Sequence, residues 1–145
     1  MTIHKTIVAA TADAAFVGGA QAEPNSRIPD NQTVRNVVLV HGAFADGSGW
    51  RGVYDDLTSR GYRVTIVQNP LTSFQDDVNA TRRVLARQNG QSILVGHSYG
   101  GSVITEAGVD PNVAGLVYVS ALAPDVGEST GDQFTEIPAP PEFVI

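Results

Sequence analysis

The residues best suited to do chemistry stand at Gly96-His97-Ser98-Tyr99-Gly100. They follow an apolar run, Ser92-Ile93-Leu94-Val95, and precede a short helical pattern that begins near Gly101. The order is strand, tight turn, helix. Such a turn pushes its central serine into an exposed, strained backbone position where the hydroxyl can meet a carbonyl carbon. Gly96 and Gly100 flank the serine because a side chain at either place would collide with neighbouring backbone.

A second stretch could serve the same chemistry. Val37-Val38-Leu39-Val40 is a continuous aliphatic run, as expected for a strand buried on both faces of a parallel sheet. It breaks at His41-Gly42-Ala43-Phe44 and continues through Gly47 and Gly49 to Trp50, a glycine-rich loop at the carboxyl end of a strand. Trp50, Val53, Tyr54 and Leu57 then mark one apolar stripe of an amphipathic helix, with Gly61 as its left-handed stop.

The remaining elements must hold these two loops. Residues 63–68, with Val64, Ile66 and Val67, read as a second strand ended by Asn69-Pro70. Ser73 to Asp76 forms a capping box for a helix expected to run to about Asn89, with Phe74, Val78, Thr81 and Leu85 inward and Arg82, Arg83 and Arg87 on a solvated face. Residues 92–96 form the third strand. The helix after Ser98 buries Val103, Ile104 and Ala107 and closes at Gly108. Asp110-Pro111 turns the chain into a fourth strand over residues 113–121. Alternating strands and helices predict an α/β fold: a parallel sheet of about four strands with right-handed crossovers and helices on both faces.

Composition narrows the function classes. The 145 residues suffice for one core, and 42% hydrophobic with 17% charged residues is ordinary for a globular protein. A net charge of -6 with scattered basic residues argues against nucleic-acid partners. The absence of cysteine removes a disulfide scaffold, a thiolate metal site and a cysteine nucleophile. Residues 1–22 have the parts of a signal peptide, ending in Ala20-Gln21-Ala22, which predicts a periplasmic or secreted protein; Asp13 inside the apolar run keeps a cytoplasmic alternative open. Residues 23–33 read as a linker, 34–123 as the core and 124–145, rich in proline and acids, as an irregular tail. No run is long enough for a membrane span. The sequons at Asn31 and Asn79 are short enough to be coincidence.

With both loops in place, the sequence resembles an α/β-hydrolase, specifically the branch of small esterases and hydroxynitrile lyases that includes plant methyl esterases. The resemblance rests on Val37 to Phe44 with Gly49-Trp50, on Leu94 to Gly101, and on Tyr118-Val119-Ser120-Ala121-Leu122-Ala123-Pro124-Asp125. It implies a partial three-layer sandwich without the last strands and cap, a serine esterase of small carboxylic esters, and no cofactor or metal. Ser98 would be the nucleophile. The backbone amides of Tyr99 and Ala43, with Phe44 second, would form the oxyanion hole, and His41 and Gly42 would line the substrate side, His41 ordering the loop.

The sequence also departs from that family, which places a histidine base after the last strand. Only His4, His41 and His97 are present. His97 adjoins the nucleophile, where consecutive side chains on a sharp turn point apart, and Asp125 or Glu128 would be the acid in a variant location. The chain therefore looks like an amino-terminal hydrolase half with impaired or no activity alone, its fourth strand an uncovered edge. The alternative is a non-catalytic hydrolase-like fragment that binds a small ligand or a partner.

Overall fold

The computed structural model describes residues 34–128. The leader and linker expected over residues 1–33, and the part of the tail from 129 onward, lie outside the described residues. Four strands, β1 (Asn36–Val40), β2 (Arg63–Val67), β3 (Ser92–Ser98) and β4 (Val113–Ala121), alternate with three α-helices, α1 (Arg51–Ser59), α2 (Phe74–Leu85) and α3 (Gly100–Ala107). All strand pairs are parallel, in the order β2-β1-β3-β4. The continuous aliphatic run of β1 is buried at every position because β1 has a strand on each side and helices on both faces.

Two apolar clusters define the layers. Val38 and Val40 of β1, Val67 of β2 and Leu94 of β3 meet Val78 and Leu85 of α2 and Val103, Ile104 and Ala107 of α3. On the opposite face, Val37 and Leu39 meet Trp50, with Leu57, Val64, Ile66 and Val95 packed around them. The face of α2 and α3 is thus the deeper one. Among the described residues no helix is long and apolar enough to cross a membrane.

Local chemistry explains where the elements start and stop. Ser73 Oγ accepts from the Asp76 amide at 3.1 Å, the cap expected of this sequence. Gly61 follows α1 with φ +87, a left-handed conformation that a side chain would strain.

Several expectations need correction. α2 ends at Leu85, short of Asn89, because its tail tightens into i to i−3 turns: Arg87 N donates to Val84 O at 3.1 Å and Gln88 N to Leu85 O at 3.0 Å. Phe74 does not point inward; it is 43% exposed and meets Tyr99 edge to face at a centroid distance of 6.2 Å. Arg82 is not simply solvated, for its guanidinium donates to Glu106 O at 3.1 Å and ties α2 to α3. In α1, Val53 is exposed although it belongs to the apolar stripe. The fourth strand, as expected, is an edge, and none of its residues is fully buried.

Candidate active site

The strand order places a crevice between the carboxyl ends of β1 and β3. From β1 the chain leaves toward α1 on one face of the sheet, and from β3 toward α3 on the other. In open α/β sheets this point of divergence is where ligands bind. Ser98 and the loop from His41 stand there.

Ser98 closes β3 with φ 54, a left-handed conformation that costs a non-glycine residue about 1–2 kcal/mol. Neighbouring glycines make this turn possible. A Cβ on Gly96 would sit 2.5 Å from Gly100 O, and one on Gly100 would sit 2.6 Å from Val40 O. A Cβ on Gly101 would overlap Leu122 O. The turn is therefore wedged between the end of β1 and the chain leaving β4, and Leu122 N donates to Ser98 O at 3.1 Å.

The loop after β1 lies directly against the serine. A Cβ on Gly42 would approach Ser98 Cβ to 3.1 Å, so only glycine lets the two backbones come this close without displacement. Ala43 is half-buried beside it and Phe44 is fully exposed. Among the described backbone bonds of loops and caps, the amides of Ala43, Phe44 and Tyr99 donate to no acceptor. Tyr99 caps α3, whose first amides face the same point with the positive end of the helix. The residue pattern that the sequence singled out is thus brought together in one place.

His41 is 3% exposed, with both ring nitrogens engaged. Nδ1 lies 2.8 Å from Gly42 O and Nε2 accepts from the Asn69 amide at 3.0 Å. Because a carbonyl only accepts and an amide only donates, the imidazole is neutral with its proton on Nδ1. Its single free lone pair is occupied, so it has none to take a serine proton and no open edge for a substrate. It holds the loop. His97 is exposed and its ring packs edge-on against Trp50 at a centroid distance of 6.4 Å. Asp125 is exposed and its own amide donates to the Glu128 carboxylate at 2.6 Å, which keeps the two acids in a local turn. Neither acid is hydrogen-bonded to a histidine among the described residues.

Sequence reasoning missed two side chains beneath the site. Asn69 Nδ2 donates to His41 O at 3.0 Å, while its Oδ1 is buried without a partner. Asp77, 1% exposed, accepts from the Leu71 amide at 2.8 Å and from the Tyr99 hydroxyl at 2.7 Å. Burial pushes the Tyr99 phenol well above its ordinary value, and the Asp77 carboxylate adds to the shift through its hydrogen bond and charge. The phenol therefore stays protonated and donating. One signal was readable: Asp77 falls between Phe74 and Thr81 on the apolar stripe of α2, where an unpaired acid has no place.

A parallel sheet with a serine on a strand-to-helix turn and a glycine loop beside it defines the hydrolase class of α/β folds. The model of the alpha/beta hydrolase family matches residues 37–144, and the chain belongs to that family. It is 40% identical over 113 residues to a pyrethroid hydrolase of Sphingobium wenxiniae, covering 68% of this chain and 40% of that protein. It is 37% identical over 108 residues to a carbendazim hydrolyzing esterase of a Nocardioides species, covering 65% and 45%. Among solved structures, a pyrethroid hydrolase from Sphingobium faniae superposes with a TM-score of 0.54 at 37% identity, over 61% of this chain and 40% of that one. An extracellular α/β-hydrolase from Paenibacillus gives a TM-score of 0.61 at 27% identity, over 74% and 47%. The chain spans less than half the length of each of these proteins.

Proposed function

We propose that this chain carries the nucleophile and oxyanion portion of a serine esterase site for small carboxylic esters. Ser98 Oγ attacks the ester carbonyl carbon, its proton passes to a base, and the carbonyl oxygen becomes an oxyanion. That charge is met by the amides of Tyr99 and Ala43, with Phe44 second, each such donor being worth about 2.7–4 kcal/mol in the transition state. Collapse of the intermediate breaks the bond to the alcohol, which leaves with the proton, and water then hydrolyses the acyl-Ser98 ester. The observation that carries this reading is the close approach of Gly42 to the strained Ser98, with unoccupied amides on both sides. Relatives named as a pyrethroid hydrolase and an esterase support the substrate class. The leader-like residues 1–22 make a periplasmic or secreted setting part of the proposal.

One observation favours a second reading. His41 has no free lone pair and His97 rests on Trp50, so no described residue is arranged to take the Ser98 proton. A hydrolase-like module that binds a small acyl ligand without turning it over fits that arrangement. A fluorophosphonate probe and p-nitrophenyl acetate separate the two. Labelling of Ser98 and a burst of nitrophenol, both lost in Ser98→Ala, are expected of the esterase; a folded wild-type chain that shows neither removes the esterase reading for this chain.

A further inference from the structure

The two loops of the candidate site are far apart in sequence, yet hydrogen bonds, buried between His41 and Asn69 and half-buried where Asp77 meets Leu71 and Tyr99, connect them through the β2–α2 loop. It starts at Gly42 O, which His41 Nδ1 contacts at 2.8 Å. It crosses to the β2–α2 loop through the Asn69 amide on His41 Nε2 and the Asn69 side chain on His41 O, each at 3.0 Å. Two residues on, Leu71 has φ 56 and gives its amide to Asp77. The other oxygen of Asp77 accepts the Tyr99 hydroxyl. Tyr99 follows Ser98 directly.

We propose that Asn69, Asp77 and the Tyr99 hydroxyl form a positioning bridge that sets the spacing between the two amide donors, Ala43 on one loop and Tyr99 on the other. An oxyanion hole has to match a tetrahedral oxygen within a few tenths of an ångström, and two donors on separate loops need a common reference. The sheet supplies part of it through the β1–β3 pairing. The bridge adds to it beyond Val40 and Gly96, the last paired residues of β1 and β3. Its members suit that role, because Asp77 stands in the first turn of α2, where the helix dipole favours a carboxylate, and both its partners are neutral donors. Leu71 sits in a left-handed conformation that only an anchored non-glycine residue keeps, so Asp77 fixes the loop that carries Asn69.

The catalytic consequence rests on the esterase reading; the mechanical one does not. Nitrogen-15 relaxation of the full chain reads the mechanics. In the wild type, the Gly42 and Ala43 amides are expected at an order parameter of about 0.85, falling toward about 0.6 in Tyr99→Phe although the substituted ring would touch neither. Asn69→Ala should loosen residues 98–100 in the same way from the opposite end. Asp77→Asn should stay near wild type, since its Oδ1 can accept from Leu71 and its Nδ2 can donate to the tyrosine oxygen.

Labelling of Ser98 by the fluorophosphonate should slow at least about tenfold in Tyr99→Phe, the double variant with Asn69→Ala being no slower than the worse single. Unchanged order parameters at 42 and 43 in a folded Tyr99→Phe overturn the bridge. So does loosening of β1 and β3 to the same degree, or global unfolding of both single variants, because the network would then be plain core. Asp77→Asn behaving like Tyr99→Phe also overturns it, by assigning the effect to the buried charge. A wild type that never labels removes the esterase reading and leaves the relaxation data to decide the bridge.

Discussion

The two faces of the sheet are finished to different degrees. Against α2 and α3, the side chains of Val38, Val40, Leu94, Val103 and Ile104 are fully withdrawn from water. On the opposite face burial stops partway across: Val37 and Leu39 are covered beside Trp50, whereas Val117 and Val119 of β4 are 36% and 40% exposed. α1 lies over β2 and buries no residue completely. Stability in this chain therefore resides on one face, and the candidate site is built on top of that face through α3.

The largest test of this contrast compares Leu94→Ala with Val119→Ala. Leu94 is fully buried among α2 and α3 residues, and its truncation should cost about 2–5 kcal/mol. Val119 has open surface around it, and its truncation should stay within about 1 kcal/mol. Urea midpoints at constant slope provide the measurement. Equal losses would mean that the β3–β4 face is covered in solution.

A smaller effect is expected where the closed face meets the site. Gly101→Ala drives a methyl group into Leu122 O, which belongs to backbone and cannot rotate away, so a loss of about 1–3 kcal/mol is expected, with displacement of Ser98. Gly49→Ala meets nothing within 4 Å and should be neutral or stabilising by up to about 1 kcal/mol. Thermal melts and phosphonate labelling of both variants check the difference. If Gly101→Ala labels as fast as wild type, the tail of β4 does not brace the turn.

Much of this was legible because it is local. The run before Ser98, the glycines around it and the Ser73 cap each declare themselves within a few residues, and β4 was bounded at Val113 and Ala121 as its aliphatic run suggested. Gly96 and Gly100 were assigned to close backbone approach, and the spaces around them bear this out. What stayed hidden depends on contacts distant in sequence. Asn69 and His41 are 28 residues apart and Asp77 and Tyr99 are 22 apart, so no periodicity joins them. Phe74 looked inward because helical spacing assigns a face but not how completely each residue on that face is covered. Arg82 looked solvated because its partners, the main-chain oxygen and the carboxylate of Glu106, stand 24 residues on in α3, out of reach of any local charge pattern.

The finest test lies within one turn of α2, where the acids Asp76 and Asp77 divide between rim and interior. Asp76 is exposed, and its carboxyl is held below the usual value by hydrogen bonding with Ser73 and then Thr72. A depressed folded-state value means that the unfolded chain binds its proton first as pH falls. The contribution is therefore complete above the unfolded value of about 3.9 and disappears as pH drops through the folded one. Asp76→Asn should lower the melting temperature slightly near neutrality, and the gap to wild type should narrow as pH falls below the unfolded value of about 3.9 and through the lowered folded one. Melting curves across that range read the difference directly. A gap that persists in acid would assign the effect to lost cap geometry instead of charge, and Asp76 would then resemble its buried neighbour more than its exposure suggests.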